Sequence, residues 1–266
     1  AFGIGFVLGP LMGGLLAEYG TRAPFYAAAA LAGLNAIFGW FVLKETVTDA
    51  IRRPFSLKRA NPFGAFKALS KLPTIGPLLG VFFFYQVAFT VYPSIWSYFG
   101  KERFDWDPST IGLSLGLFGI MIALVQGLLI RPVLKYLGER GTVIYGLLFD
   151  VLAFGLLAIV TSGTIALILI PIAALAGVLT PALQGLMSRS VADNQQGELQ
   201  GALTSVTALA MIIAPMAMTT TFAAFTGDTA PIYFPGAPFV LSMVLVIVAI
   251  VLFVRYRPLN DATETS

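Results

Sequence analysis

The chain has 266 residues, 58% of them hydrophobic and 11% charged, with a mean hydropathy of +0.87. A soluble domain carries roughly 25% charged residues, so this composition excludes an ordinary soluble globular protein and indicates a polytopic membrane protein. There is no cysteine and no histidine, which excludes disulfides, thiol nucleophiles, Ser-His triads and the usual zinc sites. The net charge of +3 matters less than where the charges fall.

About eight apolar segments are expected to span a bilayer, each near the ~20 residues that a crossing helix needs. They are 1–17, 25–43, 74–99, 111–130, 142–160, 164–187, 200–225 and 238–254. The first opens at Ala1 with no basic leader before it, so the chain is expected to be a fragment lacking earlier spans. Within that segment Gly5, Gly9 and Gly13 fall four residues apart. On a helix they form a smooth stripe that lets a second helix approach closely. Pro10 removes a backbone donor and should bend the helix. An ordinary small-residue packing helix carries the same signals.

The segment from Lys44 to Pro73 is the one long connection. Phe63, Phe66, Leu69 and Leu72 recur every third residue with Lys67 and Lys71 between them, the pattern of an amphipathic helix on a leaflet surface. A plain linker is the alternative. The expected division is residues 1–43 as the last two helices of an N-terminal bundle, 44–73 as a central loop, 74–254 as a six-helix bundle and 255–266 as a tail. An internal echo supports it. Gly9-Pro10 followed by Ala23-Pro24-Phe25 is matched by Ala214-Pro215 followed by Ala237-Pro238-Phe239, as in transporters built from repeated halves.

Orientation follows from Lys and Arg. With 44–73 placed in the cytoplasm, thirteen basic residues fall on that side: Lys44, Arg52, Arg53, Lys58, Arg59, Lys67, Lys71, Arg131, Lys135, Arg140, Arg189, Arg255 and Arg257. Only Arg22, Lys101 and Arg103 fall on the other. The C-terminus is therefore expected in the cytoplasm.

Asp150 lies near the middle of the fifth segment. A carboxylate at that depth costs about 2.5–3.5 kcal/mol on insertion scales, and such a residue commonly serves a proton or substrate pathway. The alternative is a protonated Asp bonded to a neighbouring helix. Asn35, Gln86, Gln126 and Gln184 share the membrane depth; they can line a polar path or join helices at around 0.6 kcal/mol each. Phe84, Tyr85, Tyr92, Trp96 and Phe118 offer flat apolar contacts or face lipid. Between the fourth and fifth segments, Gly138, Glu139, Arg140 and Gly141 form a tight turn. Glu139 and Arg140 are candidates for a latch between helix ends, or simply solvated charges. A single membrane Asp does not make an aspartyl protease, and neither a charged ring nor a repeated filter loop marks a channel.

Gly5-x-x-x-Gly9-Pro10-x-x-Gly13-Gly14 resembles the antiporter motif of the fifth helix of drug:proton antiporters. Further blocks follow in order: Leu34-Asn35, Asn61-Pro62-Phe63, Ile111-Gly112-Leu113-Ser114, Leu137-Gly138-Glu139-Arg140, Pro181-Ala182-Leu183-Gln184 and Gln196-Gly197-Glu198-Leu199-Gln200-Gly201. Together they resemble the tetracycline-efflux branch of the major facilitator superfamily from its fifth helix to its twelfth. The resemblance implies an all-α major facilitator fold and a twelve-span carrier of the bacterial inner membrane. It implies a secondary transporter, not an enzyme, that exports tetracycline-like drugs in exchange for protons. No cofactor or resident metal is implied, and the drug travels as a magnesium complex. The implied partners are drug, protons, the bilayer and the missing N-terminal helices, with no nucleic acid. Asp150 matches an Asp important for transport in the family's ninth helix, and Gln86 and Gln184 match polar positions in its seventh and tenth. Without the first four helices, residues 1–266 alone are expected not to transport. An exporter of another drug or metabolite, or a non-transporting membrane protein, stands as the alternative.

Overall fold

The computed structural model describes residues 2–42, 75–191, 195–228 and 230–256. The central loop, its expected amphipathic stretch and nearly all of the tail lie outside the described residues. Every regular element among those described is helical. In order they are α1 (Phe2–Ala17), α2 (Ala23–Val42), α3 (Ile75–Phe89), α4 (Val91–Phe104) and α5 (Pro108–Leu124), then a π-helical turn (Val125–Leu129). There follow α6 (Ile130–Ile159), α7 (Gly163–Ala174), a 3₁₀ turn (Leu175–Val178), α8 (Leu179–Arg189), α9 (Gln196–Thr226) and α10 (Ala237–Arg255).

The interruptions have local causes. Pro93 has no N–H to offer the carbonyl of Phe89, and the helix breaks at Thr90, whose hydroxyl donates to the Gln86 carbonyl at 2.7 Å. Asp105 ends α4 in the left-handed conformation at φ 54°, a conformation to which Asp is better suited than most non-glycine residues. Asp107 then caps α5, its carboxylate accepting from the Thr110 N–H at 2.9 Å with Pro108 as the first helical residue. Gly138, at φ 65° and ψ −178°, turns the chain inside α6. Pro171 interrupts the ladder of α7 shortly before the 3₁₀ turn. Both α2 and α10 open on Ala-Pro-Phe, where a proline costs no helical hydrogen bond.

Six helical runs are long and apolar enough to cross a membrane. One of them, Pro108–Ile159, has 52 residues, or ~78 Å of helix against a hydrocarbon core of ~30 Å. Its turn at Gly138 makes it two crossings. With the shorter α1, the elements match the eight expected segments.

The core lies in the part from α3 to α10. The principal contacts are α10 on α3 and α6, α6 on α8, and α9 on α3. Phe82, Phe99, Phe154, Phe239 and Phe253 are fully buried there. Helix α1 packs chiefly on α5. Helix α2 packs on α1 and has no buried residue; Trp40 and Phe41 are each more than 80% exposed.

The two ends of the bundle differ in chemistry. At one end Glu139 pairs with Arg189, and Arg140 donates to the Tyr256 carbonyl at 2.7 Å while lying over Phe253. At the other end Trp106 packs against Gly100 and Gly163, and Arg103 donates to the Val160 carbonyl at 3.0 Å. There too Tyr233 donates to Glu102 at 2.8 Å, and Gly236 lies against the backbone of Ala158. We call these the basic and the aromatic ends.

Candidate functional site

Asp150 stands in α6 among Gly146, Leu147, Ala153 and Phe154, all buried on the same helix. It is 2% exposed. One turn before it, Gly146 is so close to α8 that a Cβ there would lie 2.7 Å from the Leu179 Cβ. One turn after it, the Phe154 ring meets Tyr92 at 5.5 Å between centroids. The carboxyl is thus held between α8 and the broken α3–α4 helix. Tyr85 and Tyr92, both buried, lie seven residues apart on that broken helix. Tyr85 shares a 3.0 Å hydrogen bond with the Thr180 hydroxyl. Among the described residues, two buried polar side-chain atoms lack a hydrogen-bond partner, Asp150 Oδ2 and Tyr92 Oη. The other buried polar side chains are satisfied: Ser114 bonds Trp96 and the Ile111 carbonyl, Thr142 the Gly138 carbonyl and Ser242 the Ala88 carbonyl.

Beside Tyr92 lies a cavity of about 190 Å³. Aromatic and aliphatic side chains line it, chiefly Phe89, Tyr92, Trp96, Phe118, Leu157 and Ile170, with Pro10 of α1 closing one side. Tyr92 gathers the rings, with Phe118 at 5.2 Å and Phe89 at 5.6 Å. Of the polar groups in the lining, Ser114 and the Trp96 indole N–H bond each other at 2.9 Å. The Tyr92 hydroxyl lacks a partner among the described residues but is enclosed, so the cavity wall is apolar throughout. Such a lining suits a flat, largely apolar ligand and offers little to a sugar. Of the five aromatic residues singled out from the sequence, Tyr85, Tyr92, Trp96 and Phe118 are buried, so lipid-facing roles do not apply to them.

The amides are dispersed. The Gln86 amide donates to Thr207 at 3.4 Å, and the Gln126 amide donates from the π-helical turn to the Gly177 carbonyl in the 3₁₀ turn at 3.2 Å. Gln184 is half-buried on α8, and Asn35 is exposed on α2. Among the described residues, none of these four amides has a hydrogen bond to Asp150.

The glycine motif also differs from expectation. Among the described residues, nothing lies within 4 Å of a would-be Cβ on Gly9 or Gly13. The close approach is made by Gly14: a Cβ there would meet the Gly112 Cα at 2.9 Å and the Pro108 carbonyl at 2.8 Å. In turn, a Cβ on Gly112 would meet the Pro10 carbonyl at 2.7 Å. Successive helical residues point about 100° apart, so the contact face is Pro10–Gly14, one residue round from the stripe. The surroundings of Gly5 lie outside the described side chains. Outside the membrane, hydrogen bonds from Thr110 hold the Asp107 carboxyl below the usual carboxylate range. The hydrogen bond to Glu102 raises the Tyr233 phenol.

This arrangement can be set against known proteins. The family model described as Major Facilitator Superfamily matches residues 1–215 and 78–266. The chain is 40% identical over 223 residues to the tetracycline resistance protein, class C, of Escherichia coli, covering 84% of this chain and 56% of that protein. It is 37% identical over 228 residues to the class G protein of Vibrio anguillarum, covering 85% and 57%. It is 34% identical over 260 residues to the class E protein of Escherichia coli, covering 97% and 62%. The chain spans a little over half the length of these relatives. The helical architecture, the apolar spans and the family match agree: this is a multi-pass membrane protein, and the chain belongs to the major facilitator superfamily.

Proposed function

We propose that the chain is the part from the fifth to the twelfth helix of a secondary transporter that exports tetracycline-like drugs in exchange for protons. The observation that carries this reading is Asp150: an ionisable group enclosed at mid-span, with an unpartnered oxygen, next to an apolar aromatic cavity. A carboxyl in that position can hold a proton in one state of the carrier and release it in the other. The drug occupies the cavity, and magnesium, if carried, is cargo. The relatives' printed names support drug resistance as the setting.

Residues 1–43 then close an N-terminal bundle and 74–254 form the second. The seam from Pro10 to Gly14 along α5 is where the two rock. The bias of thirteen basic residues against three supports a cytoplasmic basic end and C-terminus, in the inner membrane of a bacterium. Glu139 and Arg140 hold that end closed and release as it opens. Gln86, Gln126, Gln184 and Asn35 take secondary places along the path or between helices.

The test uses inverted membrane vesicles, acidified inside, containing the full-length protein. Addition of tetracycline with magnesium is expected to release protons from the vesicles, and Asp150→Asn to abolish the release. No release with the unaltered protein removes tetracycline as substrate. Equal release in both forms removes Asp150 as the proton site.

A further inference from the structure

The aromatic cavity, at about 190 Å³, is smaller than the ~300 Å³ at which sites that enclose a whole drug-sized ligand begin. A second cavity of about 340 Å³ adjoins it. Pro10 of α1 and Leu115 of α5 line both. Taken as one space, the two reach the size of a drug site.

The order of the lining residues fixes how the two cavities lie. On α4 the aromatic cavity takes Tyr92 and Trp96, and the second takes Ser97, nearer the aromatic end. Helix α5 starts at that end; there the second cavity takes Pro108, Ile111 and Gly112, and the first takes Phe118. On α1 the shared residue is Pro10, and Gly13 and Gly14 line the second cavity alone. All three helices thus place the second cavity between the first and the aromatic end. The chemistry changes along this line. The first cavity has an apolar wall, whereas the second is more open and partly polar. A charged or strongly hydrated group entering the first would lose its water with nothing to replace it. In the second it keeps that water.

The boundary between them has one soft side. The Pro10 ring is fixed by its own backbone. The wall where α1 meets α5 has no slack, since a Cβ on Gly14 would lie 2.9 Å from the Gly112 Cα. Leu115 is half-buried against the core, and its side chain can turn between staggered rotamers.

We propose that the two cavities form one elongated binding site with Leu115 at its waist. This deepens the transport reading above and rests on it. The ligand is a flat molecule, apolar at one end and polar at the other. Its apolar end lies among Tyr92, Trp96 and Phe118, and its polar end passes Leu115 to lie beside Ser97. Leu115 is then the residue that decides, by the width it leaves, which flat ligands fit.

The experiment uses the full-length protein, made free of cysteine, in lipid nanodiscs, with tetracycline and magnesium as the probe. Ser97→Cys and Tyr98→Cys are introduced in turn. Both residues are exposed, but Tyr98 lines neither cavity. The rate of labelling by a water-soluble thiol reagent is measured with and without drug. Saturating drug is expected to slow labelling of Ser97→Cys by about fivefold or more, and that of Tyr98→Cys by less than about twofold. Adding Leu115→Phe should raise the drug concentration for half-protection about tenfold. Leu115→Met, a volume-conserving change, should leave it within about twofold. Equal slowing at both cysteines, or an unmoved half-protection in Leu115→Phe, overturns the proposal. Should Leu115→Phe not yield dispersed protein, Leu115→Cys decides instead. Bound drug is expected to slow its labelling as strongly as that of Ser97→Cys, and undiminished reactivity overturns the waist. Proton release from vesicles tells two failures apart. Tetracycline-driven release without protection of Ser97→Cys sinks the elongated site alone. No release with any drug sinks the transport reading, and this inference with it.

Discussion

The aromatic end and the basic end of the bundle are closed by different forces. At the aromatic end, backbone meets backbone and rings fill glycine notches: Gly236 against Ala158, Trp106 against Gly100 and Gly163, and Gly14 against Gly112. At the basic end, the ties are Glu139 to Arg189 and Arg140 to the last turn of α10. Close packing of this kind is lost steeply with separation. Ion pairs between partly exposed side chains contribute little net stability and are screened by salt. The contacts at the aromatic end must therefore be taken apart as a unit, whereas the ties at the basic end cost little to break.

The largest effect expected from breaking this contrast is at Gly236. A Cβ there would overlap the Ala158 backbone carbonyl outright, which cannot move as a side chain can. Gly236→Ala should destabilise by at least the upper part of the about 1–3 kcal/mol typical of overpacking. Size-exclusion profiles after heating should show loss of the monodisperse peak at a clearly lower temperature. Next is the α1–α5 seam. Gly112→Ala would push on the Pro10 carbonyl and the Gly14 Cα, and should cost about 1–3 kcal/mol. Gly13→Ala meets nothing within 4 Å among the described residues and should be close to neutral for residues 1–266 in the same assay. Equal effects of the two would mean that the seam uses the Gly9–Gly13 face after all.

The basic end should give smaller changes. Glu139→Gln removes the pair with Arg189, whose side chain is 64% exposed, so the loss should stay below about 1 kcal/mol and shrink further in high salt. A larger loss, independent of salt, would make the two ends alike.

The smallest effect is at the Asp107 cap, and its sign is fixed by the lowered carboxyl. A carboxylate held below its ordinary range in the folded protein contributes stability that is complete above that range. The contribution fades as pH falls through the lowered value. Asn caps helices about as well as Asp and does not titrate. The melting temperature of Asp107→Asn should therefore match that of the unaltered protein at neutral pH and gain on it slightly in acid below the usual carboxylate range. A constant difference at all pH values would remove the cap as its source.

These contrasts also show what a sequence can and cannot convey. The spans were legible because apolar runs of bilayer length have few alternatives. Asp150 was legible because a lone carboxylate in such a run is costly. The turn at Gly138 follows from a glycine in a polar turn and was expected, whereas the break at Thr90, caused by Pro93, was not read from the single apolar segment 74–99. The contact face of α1 was not: Gly9 and Gly13 suggest one face, and only the position of α5 selects Pro10 and Gly14. Whether a buried tyrosine hydroxyl has a partner depends on residues far along the chain: Tyr85 finds Thr180, 95 residues on, while Tyr92 finds none among the described residues.

The central claim is that Asp150 carries the coupled proton. The most direct measurement is uphill drug accumulation by the full-length protein in proteoliposomes, driven by an imposed pH gradient with equal drug on both sides. The unaltered protein should concentrate the drug, and Asp150→Asn should let it equilibrate without concentrating it. Accumulation by Asp150→Asn to the level of the unaltered protein would contradict the account.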